Sequence, residues 1–134
     1  MSTQIVYRIN APVSPAQAIA LFRSAGLNRP VDDEPRIAQM LRYGNLTITA
    51  WHGGRLVGLA RSLTDYCFCC YLSDLAVSGD FQRRGIGKKL IEMTKAQVGE
   101  QTTLLLLAAP AAKDYYPKTG MDRYVDTFLL MRTE

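Results

Sequence analysis

The sequence predicts a single α/β domain, of the α+β kind, over residues 1–134, with a central mixed, mostly antiparallel sheet flanked by helices. Three observations carry that prediction. Residues 46–77 read as three consecutive strands joined by turns, an antiparallel meander. Residues 85–98 have helical periodicity and run into the short apolar stretch Thr103 to Ala108, which implies a right-handed crossover to a parallel strand. The length of 134 residues suits one ordinary domain, and 48% hydrophobic against 21% charged residues is a globular composition.

Taken in order, Ile5 to Ile9 alternates apolar and polar residues and predicts the first strand. Val13-Ser14-Pro15-Ala16-Gln17 opens a helix: Ser14 caps it, Pro15 suits its first position, and Gln17 completes a capping box. Ala18, Phe22 and Ala25 form its inner stripe, and Gly26 is the stop. Asn28 to Pro35 is loop, and a short helix follows over Arg36 to Arg42. Leu46 to Trp51 alternates as a strand, His52-Gly53-Gly54 turns, and Arg55 to Ser62 returns as its partner. Asp65 lies in the next turn, before a third strand over Phe68 to Val77. In the helix Gly85 to Val98, Ile86, Leu90 and Met93 make the apolar face, while Lys88, Lys89, Glu92 and Lys95 face water. Thr103 to Ala108 suits a fully buried strand, and after a short helix Phe128 to Met131 supplies the last strand.

Composition excludes several classes. No run of 18 apolar residues exists, so no membrane span is expected, and Met1 to Asn10 lacks a signal-peptide layout; a cytoplasmic location is the default expectation. Sixteen basic and twelve acidic side chains leave +4, part of it gathered in Arg83, Arg84, Lys88 and Lys89. The three cysteines sit together in Cys67-Phe68-Cys69-Cys70 and read as buried, reduced thiols. With His52 the only histidine, no metal site is expected.

The stretch from Leu75 to Leu90 carries the chemistry. It is strand, turn, glycine-containing loop and helix start, where unpaired backbone N–H groups meet a partial positive charge. Glycine allows a phosphate to approach those groups, so the stretch reads as a diphosphate site. It is neither GxxxxGK[ST] nor the dinucleotide fingerprint, because Lys88-Lys89-Leu90 follows Gly85-Ile86-Gly87 where a third glycine or alanine should come. A solvated basic face at a plain strand-to-helix turn is the bland alternative.

Gln82-Arg83-Arg84-Gly85-Ile86-Gly87 matches the Q/R-x-x-G-x-G/A signature of the GCN5-related N-acetyltransferases (GNAT), and the chain resembles that family from the meander onward. Tyr71 to Val77 is similar to its central strand, and Tyr115-Tyr116-Pro117-Lys118-Thr119-Gly120-Met121 to its F-Y-x-K-x-G-F segment. The resemblance implies a sheet splayed at the cofactor-binding strand and acetyl-CoA as acetyl donor, without a metal. It implies that Leu75, Ala76 and Val77 meet the pantetheine arm, with the backbone of Leu75 and Val77 pairing to it. Gln82, Arg83, Arg84, Gly85, Ile86, Gly87 and Lys88 would surround the pyrophosphate. One departure stands out: Ala108-Ala109-Pro110-Ala111-Ala112 lacks the asparagine that the family often carries after this strand.

The implied reaction is direct attack of a primary amine on the thioester, with a small molecule as acceptor. By the resemblance Tyr116 is the candidate proton donor to the departing thiolate; a core tyrosine is its structural alternative. Strand alternation points Asp74 away from Leu75 and Val77. It is the candidate base, acting directly or through water, or an anchor for a cationic acceptor, or a carboxylate bonded to a neighbouring strand or loop. Asp32, Asp33 and Glu34 either draw in a cation or simply start a helix. Trp51 and Arg61 either line the pocket or belong to strand packing and a solvated face. A non-catalytic acyl-CoA-binding module is the alternative function. A nucleic-acid binder is disfavoured because no aromatic platform accompanies the basic cluster. Domains of this kind often pair, so a homodimer is compatible with the chain, though no feature demands one.

Overall fold

The computed structural model describes residues 4–133. Five strands form one sheet in the order β1-β2-β3-β4-β5: β1 (Ile5–Ile9), β2 (Leu46–His52), β3 (Arg55–Thr64), β4 (Cys69–Val77) and β5 (Thr103–Leu105). The first four are antiparallel neighbours, and β5 joins β4 in parallel. Helices α1 (Pro15–Ala25) and α2 (Glu34–Tyr43) cover one face, and α3 (Ile86–Val98) covers the other.

Local chemistry explains the helix ends. Ser14 accepts from Gln17 N–H at 3.1 Å while the Gln17 side chain accepts from Ser14 N–H at 2.9 Å, the predicted capping box. Gly26 ends α1 in the left-handed conformation. Asp33 caps α2 by accepting from Arg36 N–H at 3.2 Å, so α2 begins two residues before the predicted start. Burial follows two clusters. Leu46, Ile48, Val57, Ala60, Cys70 and Leu72 pack with Ile86, Leu90, Ile91 and Val98. Ala18, Leu21, Phe22 and Ile37 pack with Trp51, Leu56, Leu59 and Ala76. The α1 stripe is therefore Ala18, Leu21 and Phe22, with Ala25 only half-buried.

Three expectations are corrected. The last strand, Phe128 to Met131, does not form: the segment has no ladder partner among the described residues, and Phe128 is 93% exposed. An apolar run makes a strand only where a sheet edge receives it, and β5 pairs through three residues, Thr103, Leu104 and Leu105. Thr103 to Ala108 is likewise shorter and wetter than predicted, since Leu104 and Leu106 pack inward while Leu105 and Leu107 face solvent. Its alternation is that of an edge strand covered on one face. Finally, only Cys70 is buried; Cys67 and Cys69 are exposed at the β3–β4 turn. That turn is wrapped around Asp65, whose Oδ1 accepts from the N–H groups of Cys67, Phe68 and Cys69 at 2.8–3.1 Å. These bonds hold the Asp65 carboxyl well below the usual carboxylate range.

Candidate functional site

The site begins with one extra residue in β4. Arg61 faces Asp74 and Ser62 faces Leu72, so Ser73 is a β-bulge. The bulge reverses the faces: Cys70 and Leu72 pack toward α3, but Ala76 packs toward α1 and α2. Leu75 and Val77 then take the α3 side, opposite Asp74, as strand alternation predicts. The parallel pairing with β5 stops at Tyr71, so beyond the bulge the β5-side edge of β4 is open.

The backbone of that edge can be assigned by parity. Ser73 O accepts from Arg29 Nη2 at 2.8 Å, and Val77 O accepts from Gln82 Nε2 at 3.0 Å. Ser78 N–H points the other way, to Val57 O at 2.9 Å. Alternation therefore gives Ser73, Leu75 and Val77 to the open side, and Ala76 to β3. Ala76 is buried in the core and presents no backbone group to the cleft. Gln82 acts here as a strand-end donor.

The loop after β4 leads to an uncapped helix start. Ser78 and Asp80 lock the turn: Ser78 Oγ donates to Asp80 Oδ1 at 2.6 Å, and Arg55 spans Asp80 and Ser78 at 2.7–3.0 Å. The Arg55 guanidinium and the Ser78 hydroxyl hold the Asp80 carboxyl well below its ordinary range. Phe81 is sandwiched, with Arg84 4.9 Å from its ring centroid and the His52 ring at 5.1 Å. Arg83 and Gly85 both have positive φ, at 66° and 82°, with Arg84 between them outside that region. Left-handed residues in such a turn are the backbone from which an anion-binding nest is built. No side chain caps α3 at Gly85. The residues present thus fit a diphosphate at the start of α3: a nest, the helix-start N–H groups of Ile86 and Gly87, and the cations Arg83 and Lys88 beside them.

Two tyrosines close the other side. Tyr115 and Tyr116 stack edge to face at 5.2 Å between centroids. The Tyr115 hydroxyl reaches the first turn of α3: a Cβ on Gly87 would lie 2.5 Å from it, and Lys88 N–H faces it. Tyr116 is half-buried against the α3-side cluster and feels the charges of Tyr115 and Arg29. Burial, then Tyr115, raises its phenol above the ordinary value, while Arg29 opposes the rise.

Asp74 is fully buried, and both carboxylate oxygens are taken: Oδ1 by Arg29 Nε and Oδ2 by Arg61 Nε. Arg61 also donates to Met40 O at 3.0 Å and to Ser73 Oγ at 3.3 Å. The triad straps α2 and the α1–α2 loop to the bulge. Arg61 therefore belongs to neither a solvated face nor simple packing; it is a buried cation with a buried partner. Trp51 packs in the α1–α2 cluster, with Nε1 donating to Thr49 Oγ1 at 2.7 Å. Asp32 pairs outward with Arg23 at 3.1 Å, and Glu34 sits exposed in the first turn of α2. Asp33 at the cap and Glu34 follow the helix-start reading, while Asp32 is held in its surface ion pair.

Sequence reasoning missed Arg29 and the α3 contact of Tyr115. A single arginine between Asn28 and Pro30 was the available signal for the first. The second had none, because the contact depends on the path of the chain after β5. Among the described residues, no group of three or more His, Cys, Asp or Glu is placed to hold a metal, and no helix is long and apolar enough to cross a membrane.

Comparison with known proteins agrees with this geometry. The chain is 35% identical over 68 residues to the uncharacterized N-acetyltransferase ycf52 of Pyropia yezoensis, a match covering 49% of this chain and 39% of that protein. The match thus spans about two fifths of that relative's length. Protein SA2161 of meticillin-resistant Staphylococcus aureus superposes with a TM-score of 0.81 at 20% identity, covering 98% of this chain and 99% of the other. The aminoglycoside N-acetyltransferase AAC(6')-Iy, solved with CoA, superposes with a TM-score of 0.69 at 14% identity, covering 99% and 97%. The model of the acetyltransferase (GNAT) domain matches residues 16–128, which contain the bulged strand, the nest and both tyrosines, and the chain belongs to the GNAT acetyltransferases.

Proposed function

We propose that the protein transfers the acetyl group of acetyl-CoA to a primary amine of a small molecule, by direct attack within a ternary complex. The observation that carries this reading is the open edge of β4 beside an uncapped, nest-preceded start of α3. Leu75 and Val77 offer backbone groups to an amide-bearing arm, as an added strand would require. Arg83 to Gly87 offer N–H groups to a diphosphate, with Ile86 and Gly87 as backbone only, and Arg83 and Lys88 offer charge.

The chemistry has a definite proton problem. A primary amine with a pKa near 10.4 is neutral in about one molecule in 2,500 at pH 7, a barrier of roughly 4.6 kcal/mol. The ammonium first gives one proton to solvent; the C–N bond then forms as the C–S bond breaks, the nitrogen loses its second proton to water, the thiolate takes one proton from a donor, and water returns a proton to that donor. Tyr116 is our candidate for the donor. Its raised pKa keeps the phenol protonated at neutral pH, and it packs against the α3-side cluster within the electrostatic reach of Arg29. Asp74 is assigned a positioning role, holding Arg29 and Arg61, because both its oxygens already accept from guanidinium groups. The proton of the amine then leaves through water.

A non-catalytic acyl-CoA sensor is the second reading, favoured by the engagement of Asp74. One experiment separates the two: purified protein, acetyl-CoA, a panel of amines and detection of free thiol. Thiol release with any amine supports the enzyme. Tight acetyl-CoA binding by calorimetry without release supports the sensor. A homodimer has surface available in Phe128, Leu130 and Met131, all exposed, and light scattering reads it directly.

A further inference from the structure

The acetyl-transfer reading leaves the acceptor unnamed, and Arg29 narrows it. This residue sits in the loop between α1 and α2, yet its guanidinium reaches β4 at the bulge. Three of its five N–H groups are engaged within the chain: Nε with Asp74, Nη1 with Asn28 O at 2.7 Å, and Nη2 with Ser73 O at 2.8 Å. Among the described residues the other two N–H groups have no partner, and the side chain keeps 27% of its surface exposed.

The charge balance at this point is positive. Asp74 carries one negative charge and is shared by two guanidinium groups, so the triad keeps one net cation. Of the acids in the same stretch, Asp32 is paired with Arg23, whereas Asp33 at the α2 cap and Glu34 facing solvent keep their own charges. At the bulge itself the guanidinium suits an anionic group on the acceptor. A planar guanidinium with two free N–H groups matches a carboxylate.

We infer that the acceptor is an amine that carries its own carboxylate, an amino-acid-like molecule, and that Arg29 receives that carboxylate at the open edge of β4. The inference rests on the acetyl-transfer reading, but part of its test does not. Turnover is measured with acetyl-CoA on matched pairs: α- and ω-amino acids against their amides, with diamines and an amino phosphate as further arms. The carboxylate partner of the preferred pair has a kcat/KM at least about tenfold higher, the size expected of a charge-assisted hydrogen bond. Arg29→Gln lowers kcat/KM for the amino acid about tenfold more than for the amide. Arg29→Lys, which keeps the charge, restores much of the preference.

Preference for amides, diamines or the amino phosphate overturns the inference. So does an Arg29→Gln variant that loses both partners equally, since that is what a merely structural strap would do. The thermal shift of the CoA-bound protein with the same pairs is read alongside. Stabilisation by amino acids and not by their amides supports the carboxylate site even in a chain that releases no thiol, and no difference within any pair overturns it. Absence of thiol release with every amine counts separately, against acetyl transfer.

Discussion

Asp74→Asn distinguishes an anchoring carboxylate from a catalytic base. The side chain is fully buried, and its partner Arg61 is only 8% exposed, whereas Arg29 is partly exposed. Neutralising the carboxylate leaves one deeply buried guanidinium without a counter-charge, facing a second one. Breaking a buried pair in this way costs about 3–5 kcal/mol. The half-wet Arg29 side adds little, because water can replace its partner. A small domain moves by roughly 2–8 °C per kcal/mol, so the melting temperature should fall on the order of 10–20 °C. The assay is a thermal melt of the free protein, repeated in urea to compare the midpoint at constant slope. Arg61→Leu in the same background completes a cycle: with the cation removed, Asp74→Asn should cost much less. A variant that melts within about 2 °C of the parent, yet has lost turnover, would refute the anchor and restore the base.

The remaining predictions concern the ligand loop, the proton donor and acid stability. Gly85→Val forces a branched side chain into positive φ, which costs on the order of 1–2 kcal/mol, and acetyl-CoA affinity by calorimetry should fall about tenfold. Gly87→Ala meets only the hydroxyl end of Tyr115, which can swing away, so the melting temperature holds while affinity drops; an unchanged affinity would remove the diphosphate site from α3. Tyr116→Phe should lower kcat about 10²-fold or more with acetyl-CoA affinity little changed, and an unaltered kcat would end its role as proton donor. Asp65 and Asp80 both titrate below their unfolded value of about 3.9, so the stability they give is present above that pH and is lost as pH falls through and below it. Melting temperature against pH should therefore fall less steeply on acidification for Asp80→Asn than for the parent; identical slopes would contradict the Arg55–Ser78 account of that carboxylate.

Much of the frame was legible because it depends on local chemistry. Ser14, Pro15, Gln17 and Gly26 define α1 by short-range bonds, and all four act as read. The meander was legible from alternation and from the turn residues at Gly53 and Asp65, and the parallel β5 from an apolar run after a periodic helix. What failed depends on distant partners. Cys67 and Cys69 read as buried thiols, but the three N–H groups gathered by Asp65 hold Cys67 in the turn and Cys69 at the exposed start of β4. Phe128 to Met131 has the composition of a strand but pairs with no other strand among the described residues. At the site, the glycine loop was legible because backbone handedness is written in Gly85. The partners of Asp74 were not, since Arg29 and Arg61 lie 45 and 13 residues away in the chain.

The bulge at Ser73 ties these failures to the function. With a regular β4, Asp74 would share a side with Cys70 and Leu72 and point into the apolar cluster beneath α3, where nothing could pair it. The extra residue turns Asp74 toward α1 and α2 and, in the same step, gives Leu75 and Val77 the backbone phase that faces the open edge. The triad then offsets the bulge: Arg29 Nη2 donates to Ser73 O, a carbonyl outside the interrupted ladder, and Arg61 Nη2 to the Ser73 hydroxyl beside it. Bulge and triad are thus one device. It follows that Asp74→Asn should disturb the open edge as well as the core, and that its loss of acetyl-CoA affinity should track its loss of stability. A base acting alone would separate the two.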